Sequence, residues 1–368
     1  MKIHFPLAVV QICVPDYRLG FFDALNSRSK RLTVFGGETD IEPTIHNAAM
    51  GQPWFARRTA TFLANRQLAW VERKREDFSV GTVVIGSLNP RILSLWRDRR
   101  ECHRLNIPYL LWGHAWGKHG PHGLSFQLRC QVASRADGVI CYTESQAELM
   151  RKMVPHLPVI AAPNACLSQA DCGVQGMESE RDSVIYVGRL VVRKKVDLLI
   201  KGFAMARQTD PGFKGSIIII GDGPERGNLT ALAKNLGVES MVFWGGHEAR
   251  VEKLREYYAK AYVSVSPGYV GLSLTQSFAF GVPALIARNE PHSPEIEAAR
   301  EGINARFFES DSPEALGKAI LATWREWRNI RSEREKLAAW TSKNYSFETM
   351  ADRFVEMAVK VSGLSKTK

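Results

Sequence analysis

An apolar run that stops abruptly at a glycine turn does most to restrict how this chain folds. Ala261-Tyr262-Val263-Ser264-Val265 has the composition of a parallel strand buried on both faces, and Leu272 to Phe280 follows with helical spacing. Between them lies Ser266-Pro267-Gly268-Tyr269-Val270-Gly271-Leu272, with Gln276 and then Gly281-Val282-Pro283 beyond. The glycines therefore sit on a strand-to-helix turn, where bare backbone N–H groups and the helix dipole favour an anion such as phosphate. Two glycines serve turn geometry equally well, so the rest of the half decides between the two meanings.

Four further segments repeat the design. Asp182 to Val187 reads as a strand ending in Gly188-Arg189-Leu190, with Lys194 and Lys195 ahead of a helix from Val196. Ser216 to Ile220 ends in Gly221-Asp222-Gly223-Pro224, Met241 to Phe243 ends in Gly245-Gly246, and Ala284 to Ala287 precedes Pro294-Glu295. In an open parallel sheet such turns share one edge, and ligands bind there. The sequence predicts that Arg189, Lys194, Gly221, Gly268, Gly271 and Glu295 gather at that edge, a set suited to a diphosphate.

With Gly188-Arg189-Leu190, Lys194, Gly221-Asp222-Gly223-Pro224, Pro267-Gly268, Gly271-Leu272, Gly281-Val282-Pro283 and Pro294-Glu295 in this order, the C-terminal half resembles the family 4 retaining glycosyltransferases. The resemblance implies an α/β chain of GT-B architecture: two Rossmann-like β/α/β domains facing a deep cleft, with a C-terminal helix crossing back to the first. The domains expected are 1–170 for the acceptor, 171–345 for the nucleotide sugar, and 346–368 for the returning helix. It further implies a phosphate role for Arg189 and Lys194 and donor contacts from Gly188, Gly221, Gly268, Tyr269, Val270, Gly271, Leu272, Gln276, His292 and Glu295. His114, in Trp112-Gly113-His114, is placed near the donor sugar or the acceptor hydroxyl, and Tyr17-Arg18 on the acceptor side. The family usually carries glutamate where this chain has Gly268 and Gln276. Gln276 keeps an acceptor oxygen for a ribose hydroxyl, whereas Gly268 offers backbone groups alone.

The formal net charge is +11, and residues 1–165 carry 21 Lys and Arg against 13 Asp and Glu. Such a basic half suits an anionic membrane surface or a phosphorylated acceptor. Arg97, Arg99, Arg100 and Arg104 read instead as the solvated face of one helix. No nucleic-acid module is present. No Asp-x-Asp and no His/Cys cluster with ligand spacing occurs, so no metal or other cofactor is expected. The six scattered cysteines and an N-terminus that reads as a buried strand suggest a cytoplasmic protein, possible at a membrane face as a peripheral one.

Along the first half, strands are expected at Phe5–Cys13, Leu32–Phe35, Thr82–Ile85, Tyr109–Trp112 and Gly138–Cys141. Residues 40–70 show no regular pattern. Residues 115–124, with His119 and His122, read as a mobile loop, and Ser145 as an N-cap. Residues 165–181 read as a linker, and three helices close the chain, the last capped by Ser346. Trp324, Trp327 and Trp340 have the spacing of packing residues. The residues leave three functions open: glycosyl transfer, a sugar-nucleotide epimerase or hydrolase on the same fold, and a non-catalytic sugar-nucleotide-binding protein.

Overall fold

The computed structural model describes residues 1–43, 45–117, 120–174, 181–327 and 331–364. They divide into two units, Met1–Cys166 with Ser346–Lys368, and Leu167–Tyr345. Each is a parallel sheet with helices on both faces, and the chain is α/β as the sequence predicts.

In the first unit the strands are β1 (Leu7–Val10), β2 (Leu32–Gly36), β3 (Phe55–Arg57), β4 (Ala60–Leu63), β5 (Leu68–Val71), β6 (Val83–Ser87), β7 (Tyr109–Gly113), β8 (Gly138–Cys141) and β9 (Val159–Ala161). The helices are α1 (Leu19–Arg28), α2 (Ser94–Arg104), α3 (Leu124–Ala133) and α4 (Glu144–Met153). Seven strands form one sheet in the order β3-β2-β1-β6-β7-β8-β9, and β4 and β5 form a separate antiparallel hairpin. The central strands β1 and β8 are buried at every position, which is why their sequences are unbroken apolar runs. Strand β1 pairs with β2 on one side and β6 on the other, so the order reverses between β1 and β6.

Several boundaries differ from the sequence reading. Residues 55–71 hold three short strands where no regular element is predicted; each spans only three or four residues, too few to show the alternation that marks a half-buried strand. The cap of α4 is Thr143, whose hydroxyl accepts from the Gln146 N–H at 3.2 Å; Ser145 lies inside the helix and its hydroxyl meets Thr143. A 3-10 turn spans Gly120–His122, and His119 lies outside the described residues. On α2, Arg100 is exposed, but Arg97 reaches the buried Asp98 at 2.9 Å, so the basic face is not simply solvated.

The second unit contains β10 (Ser183–Val187), β11 (Ser216–Ile220), β12 (Val242–Gly246), β13 (Ala261–Ser266), β14 (Ala284–Ala287) and β15 (Ala305–Phe308). Its helices are α5 (Val196–Thr209), α6 (Arg226–Asn235), α7 (Val251–Ala259), α8 (Ser273–Ala279), α9 (Pro313–Trp327) and α10 (Arg331–Tyr345). The sheet order is β12-β11-β10-β13-β14-β15, with every pairing parallel, so this sheet reverses between β10 and β13. In an open α/β sheet that reversal opens a crevice at the carboxyl ends of the strands.

The last helix, α11 (Phe347–Leu364), belongs to the first unit and packs on α1, β8 and β9. Met350, Phe354, Met357, Ala358 and Val361 recur at helical spacing and are buried as one stripe. Phe354 meets Trp112 and Phe21 edge-on, each at a centroid distance of 4.9 Å. The Ser346 hydroxyl accepts from the Thr349 N–H at 3.2 Å and caps the helix as the sequence predicts. Among the described residues no helix is long and apolar enough to cross a membrane.

Candidate functional site

At the reversal of the second sheet, the exit of β10 meets the exit of β13. Gly188 and Gly221 close the ends of β10 and β11 by lacing the two turns together. The Gly188 N–H donates to the Ile220 carbonyl at 2.9 Å, and the Leu190 N–H to the Asp222 carbonyl at 2.9 Å. Gly221 has φ of +142°, and a Cβ there would collide with the Gly188 carbonyl. These two glycines let the exits of β10 and β11 pack closely. Asp222 acts within its own turn, accepting from the Gly223 N–H at 2.8 Å.

Beyond Leu190 the chain makes a 3-10 turn, Val192–Lys194, and Lys195 then adopts the left-handed conformation with φ of +52°. The turn lies directly on Gly268. A Cβ at 268 would stand 2.5 Å from the Arg193 carbonyl oxygen and 3.0 Å from the Lys194 backbone. The space that a side chain would need at Gly268 is thus filled by backbone.

This contact delivers Lys194 into the 268–272 turn. Its Nζ donates to the Tyr269 carbonyl at 2.9 Å and stands 3.6 Å from the centroid of the Tyr269 ring. Arg193 approaches the same ring, with Cζ at 5.1 Å. Burial, and then the charges of Arg189 and Arg193, lower the Lys194 pKa to about 8, while Glu295 opposes the shift. Glu295 is buried in the 3-10 turn Pro294–Ala298. Arg189 is exposed, and among the described residues its guanidinium has no hydrogen bond or ion pair. Lys195, the residue next to Lys194, is held by two carboxylates. It pairs with Glu290 at 2.6 Å and Asp311 at 2.7 Å, partners too distant in sequence to be anticipated.

The 268–272 turn is braced from behind. The Val270 N–H donates to His292 Nδ1 at 3.1 Å, and His292 Nε2 donates to the Ala287 carbonyl at 2.9 Å. This arrangement requires a neutral ring, and burial lowers the pKa of His292 from its ordinary value. With both ring nitrogens engaged, His292 acts on the turn and not outward on a ligand. Val270 therefore offers no spare N–H, whereas the N–H groups of Tyr269 and Gly271 have no acceptor among the described residues. Leu272 precedes α8. On that helix, Gln276 Oε1 accepts from the Tyr258 hydroxyl at 3.3 Å, which leaves the amide nitrogen as a donor.

The first unit carries the other predicted residues, at the exits of β1 and β7. Tyr17 and Arg18 lie in a 3-10 turn, Asp16–Arg18. Arg18 donates to the Tyr142 hydroxyl at 2.6 Å and to Gln11 Oε1 at 3.4 Å, and its Cζ lies 4.3 Å from the centroid of the Trp112 ring. These partners are neutral, and its Nε has no acceptor among the described residues. His114 tilts against Tyr142 at 4.6 Å. The residue is exposed, yet crowding by its neighbours, and then the charges of Arg129 and Arg18, lower its pKa and hold the imidazole neutral near pH 7.

Three groups were not singled out in the sequence: Arg193 over Tyr269, Tyr258 on Gln276, and Arg129 beside His114. Only Arg193 carries a signal, as the first member of the run Arg193-Lys194-Lys195. Among the described residues no three His, Cys, Asp or Glu side chains are grouped to hold a metal.

The family described as Glycosyl transferases group 1 matches residues 171–341. An exopolysaccharide phosphotransferase of Streptomyces coelicolor is 31% identical over 75% of this chain and 28% of its own length. A D-inositol 3-phosphate glycosyltransferase of Nocardiopsis dassonvillei is 34% identical over 53% of this chain and 50% of its own. The chain thus spans half or less of the length of these curated relatives. Among solved structures, HepE of Anabaena in complex with UDP is similar with a TM-score of 0.69 at 13% identity, covering 98% of this chain and 100% of that one. Sucrose-phosphate synthase of Thermosynechococcus elongatus is similar with a TM-score of 0.66 at 17% identity, covering 98% and 100%. At such identities the likeness shows the fold alone, GT-B.

Two outcomes test this geometry. Gly268→Ala forces the 192–194 backbone away and should destabilise the protein by about 1–3 kcal/mol, as overpacking does; thermal unfolding measures it. For His292, a native pKa below the unfolded value of about 6.5 means that its contribution is complete above that pH and fades as pH falls through it. The melting-temperature gap between wild type and His292→Ala should therefore narrow between about pH 7.5 and pH 5.

Proposed function

Through residues 171–341 the chain belongs to the glycosyl transferases group 1 family, and on that premise we propose that it moves a sugar from a nucleotide-diphosphate donor to a hydroxyl of an acceptor. The observation that carries this reading is the seating of Lys194 in the 268–272 turn, beside two amide N–H groups and within the field of the unpaired Arg189. Breaking a sugar–diphosphate bond requires that negative charge on the departing diphosphate be stabilised, and cations and N–H donors fixed in advance provide that. Lys194 and Arg189 would take the phosphate oxygens, with the Tyr269 and Gly271 amides. Gln276 would face the nucleotide ribose with its amide. No metal ion is needed in this scheme, because two cations and the amides do its work. Transfer would proceed with retention of configuration.

UDP is the first nucleotide to try, because HepE of Anabaena was solved with it. The acceptor would bind the first unit. There Arg18 meets only neutral partners among the described residues, which suits an acceptor carrying a phosphate or carboxylate. Neutral His114 would orient the acceptor hydroxyl or a sugar hydroxyl. A glycolipid or envelope-polysaccharide intermediate at an anionic membrane face fits the basic charge of this half.

Lys194→Ala and Arg189→Ala should each lower kcat/KM for donor consumption by about 10²–10³-fold, and Arg189→Ala, whose guanidinium is exposed, should leave the melting temperature unchanged. UDP affinity in the wild type should fall as pH rises through about 8, where Lys194 loses its proton, and Lys194→Arg should remove that dependence. Wild-type turnover in both alanine variants would overturn the reading.

A further inference from the structure

The first unit holds a cleft that is lined by none of Tyr17, Arg18 or His114. Its volume is about 620 Å³, and it lies between the end of β3, the segment after β5 and α2. Five of its lining residues are cations, Arg57, Arg58, Arg73, Lys74 and Arg97, one is a carboxylate, Glu72, and none is apolar. Such a wall suits a ligand that forms hydrogen bonds and offers no burial to an alkyl chain.

Carboxylates withdrawn from solvent hold three of the arginines in place. Arg58 forks onto Asp77, whose side chain is 3% exposed. Arg73 and Arg97 share one oxygen. Asp98 Oδ1 accepts from Arg73 Nε at 3.1 Å and pairs with Arg97 Nη2 at 2.9 Å, which sets the two guanidiniums side by side. The Asp98 side chain is 1% exposed and that of Arg73 8%. Arg73 Nη1 donates to the Lys74 carbonyl at 3.0 Å, and Arg97 Nη2 to the Val71 carbonyl at 2.8 Å. Arg73 Nη2 and Arg97 Nη1 are left with no acceptor among the described residues, and neither is an enclosed atom, in contrast to Arg18 Nε.

The charges of the cleft do not balance. Arg57 pairs with Glu38 and Arg58 with Asp77, but Asp98 serves two arginines, and Lys74 makes no ion pair among the described residues. Glu72 makes none either, and it offsets one of the two surplus charges. Every Asp and Glu side chain of this unit lies within the described residues, so the count is complete for the unit. We propose that this cleft binds a phosphorylated sugar, its phosphate held by Arg73 and Arg97 with Lys74 closing on it. Adjacent guanidiniums with spare N–H groups match phosphate oxygens. Because Asp98 fixes them beforehand, little order is lost on binding. The cleft is far larger than a phosphate alone, and its polar wall can take sugar hydroxyls. No residue given a part in the proposed transfer lines it, so the inference does not rest on that reaction.

The test is isothermal titration of the full chain in low-salt, phosphate-free buffer, with glucose 6-phosphate, glucose and inorganic phosphate as probes. Glucose 6-phosphate should bind saturably, with glucose and inorganic phosphate each weaker by about fivefold or more. Two variants assign that binding to this cleft. Lys74→Ala should weaken glucose 6-phosphate by about threefold or more, and Glu72→Gln should tighten it by about twofold or more. Both side chains are exposed and make no ion pair among the described residues, so neither change disturbs the fold. Affinity for glucose or for inorganic phosphate equal to that for glucose 6-phosphate would overturn the inference, and this comparison needs no variant. So would an absence of saturable binding, or an affinity for glucose 6-phosphate left unchanged in either variant.

Discussion

The arrangement of the second unit rests on one close approach: the backbone of residues 192–194 lies where a side chain at position 268 would stand. From that contact the rest follows in order. The 3-10 turn places Lys194 over Tyr269, and the left-handed residue Lys195 redirects the chain into α5. A left-handed non-glycine residue is disfavoured, and here two ion pairs fix its side chain on Glu290 and Asp311. The 268–272 turn is held from its other side by His292, which accepts from the Val270 N–H. A side chain at 268, where the resembling family usually carries glutamate, would require the backbone of residues 193–194 to move away.

The two units use charge in contrasting ways. In the second, Arg189 is exposed and has no ion pair among the described residues, while burial, and then the charges of Arg189 and Arg193, lower the pKa of Lys194. In the first, Arg18 lies against Trp112, Tyr142 and Gln11, which take two of its nitrogens without neutralising it and leave Nε with no acceptor among the described residues. Both clusters sit where a sheet reverses its strand order, β1 against β6 and β10 against β13. Topology, more than any single residue, therefore decides where these cations stand.

Much of this was legible in the sequence. Strands buried on both faces, such as Ser216–Ile220 and Ala284–Ala287, are unbroken apolar runs, and their ends coincide with the predicted ends. The glycine turns mark the crevice because backbones approach there, as Gly221 does to Gly188. The strands at 55–71 and at Ala305–Phe308 were not legible, because β3, β4 and β15 are only partly buried and carry polar or charged residues. Nor were the roles of Lys195 and His292. Each depends on partners brought together by the fold, Glu290 and Asp311 for the lysine, Val270 and Ala287 for the histidine, and spacing along the chain holds no trace of them. Thr143 displaced Ser145 as a cap because both residue types suit the position and only backbone geometry separates them.

The central claim is that Lys194, with Arg189, grips the diphosphate of an activated sugar. A crystal structure with bound UDP tests it most directly. The account predicts phosphate oxygens within about 2.7–3.2 Å of the Lys194 Nζ and of the Tyr269 or Gly271 N–H, with the Arg189 guanidinium ordered against them. Phosphates seated away from the 268–272 turn, with Lys194 still bonded only to the Tyr269 carbonyl, would contradict it.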